Sequence, residues 1–415
     1  MPHRPSGFVD DKRLWDRLMM LAQFGAREDG GVDRPALSPT ESDARAQLVA
    51  WGRALGLHPF SDAMANLFLR LEGRRPELPP VLIGSHIDSQ PTGGKFDGAF
   101  GVLAGLEAVE AIIASGQRPD RSIEVVAWTN EEGSRFAPGM AGSEAFTGAK
   151  PLEILHAAKD AAGCSAGAAV AEVLAKDVDV PQRAFGWAPA AFVEPHIEQG
   201  PILEKRNITI GVVTGIQGTR RYRVRVSGEA AHAGTTLRRD RRDALMAAVR
   251  IIHAIDRVAR EPDDVMLTVG LFEVKPNAPS VIPEEVYFSI DLRHTDDAVV
   301  DRIDAEIRRL VEAEKGPCAV ELRQIAHAPS LTFSDEVRSL VARAADDLSL
   351  PSMDIYSAAG HDARQLHYVC PTGMIFVPCR GGISHNPAEW AEPAHVAAGA
   401  RVLADVAWAL AARGD

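Results

Sequence analysis

Pro80-Val-Leu-Ile-Gly-Ser-His86-Ile-Asp88 is an apolar run that ends on an imidazole and a carboxylate. A short continuous apolar run of this kind reads as a strand buried on both faces. Working outward, residues 101–114 read as a helix with Leu103, Leu106, Val109, Ile112 and Ile113 on one face. Ile123-Glu-Val-Val-Ala-Trp-Thr reads as a second strand that runs into Glu131-Glu132. Strands alternating with amphipathic helices predict an α/β fold with a mainly parallel sheet covered on both sides. In such sheets the chemistry gathers at the carboxyl ends of the strands. His86 and Glu131-Glu132 both fall there, which marks them before any motif is considered.

Five stretches carry metal-type ligands. They are Ser-His86-Ile-Asp88-Ser, Gly-Gly-Lys-Phe-Asp97-Gly, Asn-Glu131-Glu132-Gly-Ser-Arg-Phe, Glu-Pro-His196-Ile-Glu198-Gln199-Gly-Pro and Gly-Gly-Ile-Ser-His385-Asn-Pro-Ala-Glu389. Imidazole and carboxylate without thiolate suit catalytic zinc, manganese, cobalt or nickel. His86 and Asp88 are two apart on an extended segment and share a face. One can bind metal while the other holds the imidazole tautomer. Asp97, on a glycine-flanked turn feeding a helix, has the ordinary reading of an N-cap; as a carboxylate shared between two metals it would hold them roughly 3.5–4 Å apart. Adjacent glutamates are ordinarily a solvated turn. Facing metals, they can divide labour, one binding and the other acting as general base toward water. His196 and His385 alone would be ordinary histidines, but their turn-rich flanks set them apart.

The chain has 415 residues, 46% hydrophobic and 25% charged, with a formal net charge of −12. Length and composition allow two or three globular domains. The charge argues against a nucleic-acid partner but not against a small acid held by a local arginine. Cys164, Cys318, Cys370 and Cys379 are scattered, so a reduced, cytoplasmic protein is expected. The start carries charges where a secretory signal needs an apolar segment. No run reaches the about 20 apolar residues of a membrane span. The Ala/Gly-rich residues 157–171 read as an exposed helix or loop.

From Arg221 the pattern changes to strand 222–226, helix 241–258, strand 265–274, strand 285–292, helix 296–313 and strand 318–325. Leu245, Val249, Ile252 and Ile255 make the stripe of the first helix. Val300, Ile303, Ile307, Leu310 and Val311 make that of the second. The order β-α-β-β-α-β predicts an inserted ferredoxin-like domain over residues 212–329. Pro371-Thr-Gly-Met-Ile-Phe-Val-Pro then returns to the buried-strand pattern and leads into His385. Residues 1–211 and 330–415 should therefore form one metal domain.

These segments resemble the hydantoinase/carbamoylase branch of the aminoacylase–carboxypeptidase clan of di-metal amidohydrolases. That branch includes N-carbamoyl-L-amino-acid hydrolases, β-ureidopropionases and allantoate amidohydrolases. Gly-Ser-Glu-Ala-Phe-Thr-Gly (142–148), Ala-His232-Ala-Gly-Thr-Thr, Asp-Leu-Arg293 and Ala-Gly360-His361-Asp-Ala carry the resemblance further. It implies one metal on His86, Asp97 and His196, and a second on Asp97, Glu132 and His385, with Glu131 as general base. His196 stands where the peptidase relatives have an acid. The resemblance also implies that Gln199, His232, Arg293 and Gly360 contact substrate, that His232 stabilises the oxyanion, and that the enzyme is a homodimer. Two positions depart from the family pattern. Ser280 replaces an Asn, for which Asn277 is a candidate substitute, and Leu237 replaces a Pro.

The expected activity is hydrolysis of a ureido or amide C–N bond in a small carboxylate-bearing substrate such as an N-carbamoyl-L-amino acid. Allantoate is the alternative, and an acyl-amino acid or dipeptide a further one. A metal-binding pseudoenzyme scaffold is the rival from outside enzymes. A complete ligand set together with Glu131 argues against it.

Overall fold

The structure, a computed structural model describing residues 4–413, separates the chain into two units. One runs to Gly215 and resumes at Phe333; the other spans Ile216–Thr332.

In the first unit the strands lie in the order His58–Ser61, Leu67–Leu71, Ile123–Trp128, Val81–His86, Ala191–Ile197, Thr372–Val377 and Ile210–Ile216, and Ser352–Ser357 also pairs with Ile210–Ile216. The four from Ile123–Trp128 to Thr372–Val377 pair in parallel. Leu67–Leu71 and Ile210–Ile216 flank them antiparallel. All residues of Val81–His86, Ile123–Trp128, Ala191–Ile197 and Thr372–Val377 are buried, as apolar runs covered on both faces should be. The helix Ala99–Ala114 lies against this sheet and is buried nearly all round, not on one face as the periodicity suggests; Ile113 instead is 38% exposed. A helix apolar on every side belongs between layers, and here a second helix, Pro393–Ala411, covers it. Pro393–Ala411 is long and apolar enough to cross a membrane, a feature the sequence reading passes over; most of its residues are buried in this core. Glu107, fully buried on the first of these helices, is held by the Arg13 guanidinium at 2.5 and 2.8 Å and by the Asp10 N–H at 2.7 Å. The Ala/Gly-rich segment is not simply exposed. It enters the helix Ala166–Lys176, whose Ala166, Ala169, Val170 and Val173 pack with Phe136 and Leu155 in a satellite core.

The second unit is an antiparallel sheet with two helices. Its strands lie in the order Phe272–Lys275, Glu285–His294, Gly218–Ser227, Ala319–Ala328, and Met266–Thr268 also pairs with Glu285–His294. The single strand expected at 265–274 is thus two short strands separated at Val269-Gly270-Leu271. The helix Ala244–Val258 buries Ala244, Ala247, Ala248, Ile251 and Ile255, while Val249 is 46% exposed. The expected stripe is rotated by about one residue, because small alanines let the helix sit close to the sheet and turn its larger side chains to the flank. The second helix, Asp297–Glu314, buries Val300, Ile303, Ile307, Leu310 and Val311 as read from the sequence.

Candidate metal centre

The parallel strands deliver the site. Val81–His86 ends on His86, Ile123–Trp128 runs into the turn carrying Glu131 and Glu132, and Ala191–Ile197 contains His196. Thr372–Val377 leads through a short turn to Ser384 and His385. Asp97 comes from the turn before the helix Ala99–Ala114. That turn passes under the His86 ring. Gly98 has φ +63°, and a Cβ there would lie 2.4 Å from the imidazole, so only glycine fits.

Asp97 is the centre of the arrangement. Its Oδ1 faces His196 Nε2 at 3.1 Å and His86 Nε2 at 3.6 Å. Its Oδ2 faces His385 Nε2 at 3.2 Å, and His385 Nε2 lies 3.3 Å from Glu132 Oε2. Two trios result, His86–Asp97–His196 and Asp97–Glu132–His385, each with donor atoms within 4.8 Å of one another. Such spacings suit a divalent cation about 2.0–2.2 Å from nitrogen and oxygen ligands.

The imidazoles are also set for this role. His86 Nδ1 faces the main-chain oxygen of Asp88 at 3.0 Å, and His196 Nδ1 that of Ile197 at 2.9 Å. His196 Nε2 accepts the Gly98 N–H at 3.2 Å. Each ring thus spends Nδ1 on a carbonyl and presents Nε2 to the cluster. Asp88 therefore holds the His86 tautomer, but through its main-chain oxygen, its carboxylate Oδ1 standing off at 3.6 Å from Nδ1. The strand ends at His86, and that carboxylate accepts the N–H groups of Glu131 and Glu132, each at 3.1 Å.

The electrostatics are those of acids crowded together out of water. Burial, and then the charges of Asp362, Glu132 and Asp88, raise Glu131 well above the carboxylate range against the pull of His86. Burial and Asp97 raise Glu132 to about 7. Burial opposes a charge on His86, yet Glu131, Asp97 and Asp88 outweigh it and raise its pKa well above normal. Burial also works against Asp97, but its contacts with His196, His385 and His86 hold it well below the usual carboxylate value. One carboxylate shared by three imidazoles, with two more acids alongside, is a donor set that divalent cations neutralise.

Gln199 lies against this centre. Its Nε2 donates to Asp97 Oδ2 at 2.8 Å and to Ser384 Oγ at 3.2 Å, while its Oε1 is buried without a hydrogen-bond partner. Gly360 borders Met140, whose Cε would lie 3.8 Å from a Cβ added there. Asn130, Met140, Gln199 and His385 all adopt positive φ, a cluster of backbone strain typical of functional sites and invisible in the sequence. Glu198, from the same quoted stretch as His196, is not a ligand. It caps the helix Ile202–Arg206 by accepting the N–H groups of Ile202 and Leu203.

His232, Asn277, Ser280 and Arg293 lie in the second unit. His232 pairs with Val281 in a two-residue ladder, and the Ala233 N–H donates to the Ser280 carbonyl at 3.0 Å, so His232 and Ser280 are neighbours. Asn277 sits just before them with φ +57°. Arg293 is held by Asp291 through Nε at 2.9 Å and Nη2 at 3.0 Å.

Residues the sequence reading left without a role also belong to the centre. His361 packs edge-on against His196, ring centroids 4.5 Å apart, with Nε2 3.0 Å from Ser357 Oγ. Asp362 accepts the Ser143 hydroxyl at 2.5 Å. Glu194 accepts Ser85 Oγ and the Ala363 N–H, both at 2.7 Å. Only their position inside quoted motifs could have flagged them.

Residues 82–409 match the pattern of peptidase family M20/M25/M40. An N-carbamoyl-L-amino acid amidohydrolase of Geobacillus stearothermophilus is 39% identical over 97% of this chain and 99% of its own. An allantoate amidohydrolase of Bacillus subtilis is 36% identical over 96% of this chain and 97% of its own. The crystal structure of a hydantoinase/carbamoylase family amidase from Burkholderia multivorans superposes with a TM-score of 0.91 at 43% identity, covering 98% of both chains.

Proposed function

The chain belongs to peptidase family M20/M25/M40, and from that premise we propose that it is an amidohydrolase cleaving the ureido C–N bond of an N-carbamoyl-L-amino acid. The observation that carries the reading is the Asp97 carboxylate, one oxygen toward His86 and His196 and the other toward His385, beside Glu132. The family is metal-dependent, and two divalent cations are assigned to these trios. When bound, they supply Lewis acidity that polarises the carbonyl and acidifies water.

The chain's own residues do the rest. Glu131 is the general base. It takes a proton from the attacking water and returns it to the leaving nitrogen, releasing the amino acid and carbamic acid, which decomposes to ammonia and carbon dioxide. Its backbone is fixed by Asp88 and its Oε2 lies 3.6 Å from His86 Nε2. Burial raises its pKa, which makes the ionised carboxylate a stronger proton acceptor. Arg293 is assigned the substrate carboxylate, since a guanidinium presents parallel N–H donors. His232 is assigned the oxyanion, with Gln199, Asn277, Ser280 and Gly360 as further contacts.

Allantoate, also a ureido acid, is the second reading, supported by the Bacillus relative. A ferredoxin-like topology for the second unit is supported by its strand order. Homodimerisation is supported by an edge strand, Ala319–Ala328, which carries exposed Ile325. Ammonia release from N-carbamoyl-L-amino acids, N-carbamoyl-β-alanine and allantoate, with manganese or zinc added, tests the assignment. Activity on none of them would overturn it.

A further inference from the structure

We propose that Glu389 is a positioning residue that locks the Asp97 turn to the His385 loop, so that Asp97, Glu132 and His385 can take a cation together. The proposal rests on the two-cation reading above. Glu389 is 2% exposed, and both of its carboxylate oxygens have polar neighbours within hydrogen-bond distance. Oε1 accepts the backbone N–H of Phe96 at 2.9 Å and that of Asp97 at 3.1 Å. Oε2 lies 3.0 Å from Ser384 Oγ, which is itself 2.8 Å from Asp97 Oδ2. One side chain therefore grips the backbone that presents Asp97 and, through Ser384, the carboxylate oxygen that faces His385.

The loop is built to return Glu389 to this place. Asn386 accepts the Ala388 N–H on its side chain at 2.9 Å and the Glu389 N–H on its carbonyl at 3.0 Å, which closes a turn between His385 and Glu389. The Asp97 turn leaves room for it. A Cβ on Gly94 would fall 2.1 Å from the Glu389 carboxyl carbon. Gly94 is not among the residues with positive φ, so space for Glu389, not backbone freedom, is what this glycine provides. His385 is 48% exposed along its side chain while Asp97 is 6% exposed. Glu389 joins the loop that carries this exposed ligand to the buried turn that presents Asp97. Partners of ligands act on metal affinity, typically by about 10–100-fold.

The test is metal stoichiometry and affinity, measured by elemental analysis and chelator competition with manganese or zinc. Glu389→Ala should lose one ion of two, with affinity for it weakened about 10–100-fold. Added metal should restore kcat with little change in KM. Glu389→Gln keeps an oxygen for the two N–H groups and offers an amide to Ser384, so it should recover most of the affinity. Gly94→Ala, which displaces Glu389 without altering it, should reproduce the loss and carries the test if Glu389→Ala fails to fold. A purely structural role would lower the melting temperature of metal-free protein and leave affinity unchanged. Two ions at wild-type affinity in Glu389→Ala or Gly94→Ala, or a Gln variant as weak as Ala, would overturn the proposal. A wild-type protein that binds no divalent ion would instead sink the two-cation reading.

Discussion

The carboxylate of Asp88 accepts the backbone N–H of Glu131 at 3.1 Å. Its second oxygen accepts the N–H of Glu132 at the same distance of 3.1 Å. A single buried side chain thereby orients both a candidate base and a candidate ligand. Asp88→Asn presents an amide to two N–H donors and leaves one without an acceptor, at about 1–3 kcal/mol. We expect kcat to fall by about 10–100-fold, with KM nearly unchanged and metal content lowered. Wild-type kinetics in this variant would show that the turn holds itself.

Glu131 and Glu132 are adjacent yet differently placed. Glu132 Oε2 lies 3.3 Å from His385 Nε2, whereas Glu131 Oε2 lies 3.6 Å from His86 Nε2 and belongs to neither donor trio. Glu131→Gln should keep normal metal content while kcat falls by roughly 10²–10⁴-fold, the range for loss of a general acid–base group. Glu132→Gln should lower occupancy of one ion. An active, fully metallated Glu131→Gln enzyme would remove Glu131 from the role of base.

The ends of the parallel strands were legible because an apolar run stopping on His86, or running into Glu131-Glu132, leaves a polar group no place but the carboxyl end of the strand. Asp97 was ambiguous between cap and ligand until its two oxygens were seen to face different imidazoles. The backbone grip of Asp88 and Glu389 could not be read at all, since it joins residues as far apart in sequence as Asp97 and Glu389. The helix Ala244–Val258 was misread by about one residue because apolar counting gives alanine little weight, yet its alanines face the sheet.

Cation removal should matter more as pH rises. Burial and Asp97 raise Glu132 to about 7. An acid with a raised folded pKa stabilises the fold below its unfolded value, about 4.3, and loses that contribution as pH climbs through the folded one. His385, raised to about 9 by its bond to Asp97, stabilises the metal-free fold at low pH and loses that contribution as pH climbs through about 9. Asp97, lowered, contributes throughout this range and adds no slope. Bound cations require deprotonated ligands and gain affinity with pH. The difference in melting temperature between metal-loaded and chelator-stripped protein should therefore be larger at about pH 8.5 than at about pH 6. A gap that shrinks toward alkaline pH would contradict this assignment of the ligands.

Arg293 is oriented before substrate arrives. Asp291 holds it at 2.9 and 3.0 Å, and Asp291 is in turn contacted by Arg221 Nε at 3.0 Å. Removing the Arg293 guanidinium therefore leaves Asp291 with a cationic partner, so the second unit should stay folded. If Arg293 holds the substrate carboxylate, Arg293→Ala should raise KM by about 10–150-fold, the equivalent of about 1.5–3 kcal/mol for hydrogen bonds to a charged group. Metal content should not change. The decisive comparison is a carbamoylated amine of the same size without a carboxylate. Wild type and Arg293→Ala should then differ little in kcat/KM, because the interaction is missing in both. A variant that loses equally on both substrates would show that Arg293 supports the strand Glu285–His294 through Asp291 and does not read the carboxylate.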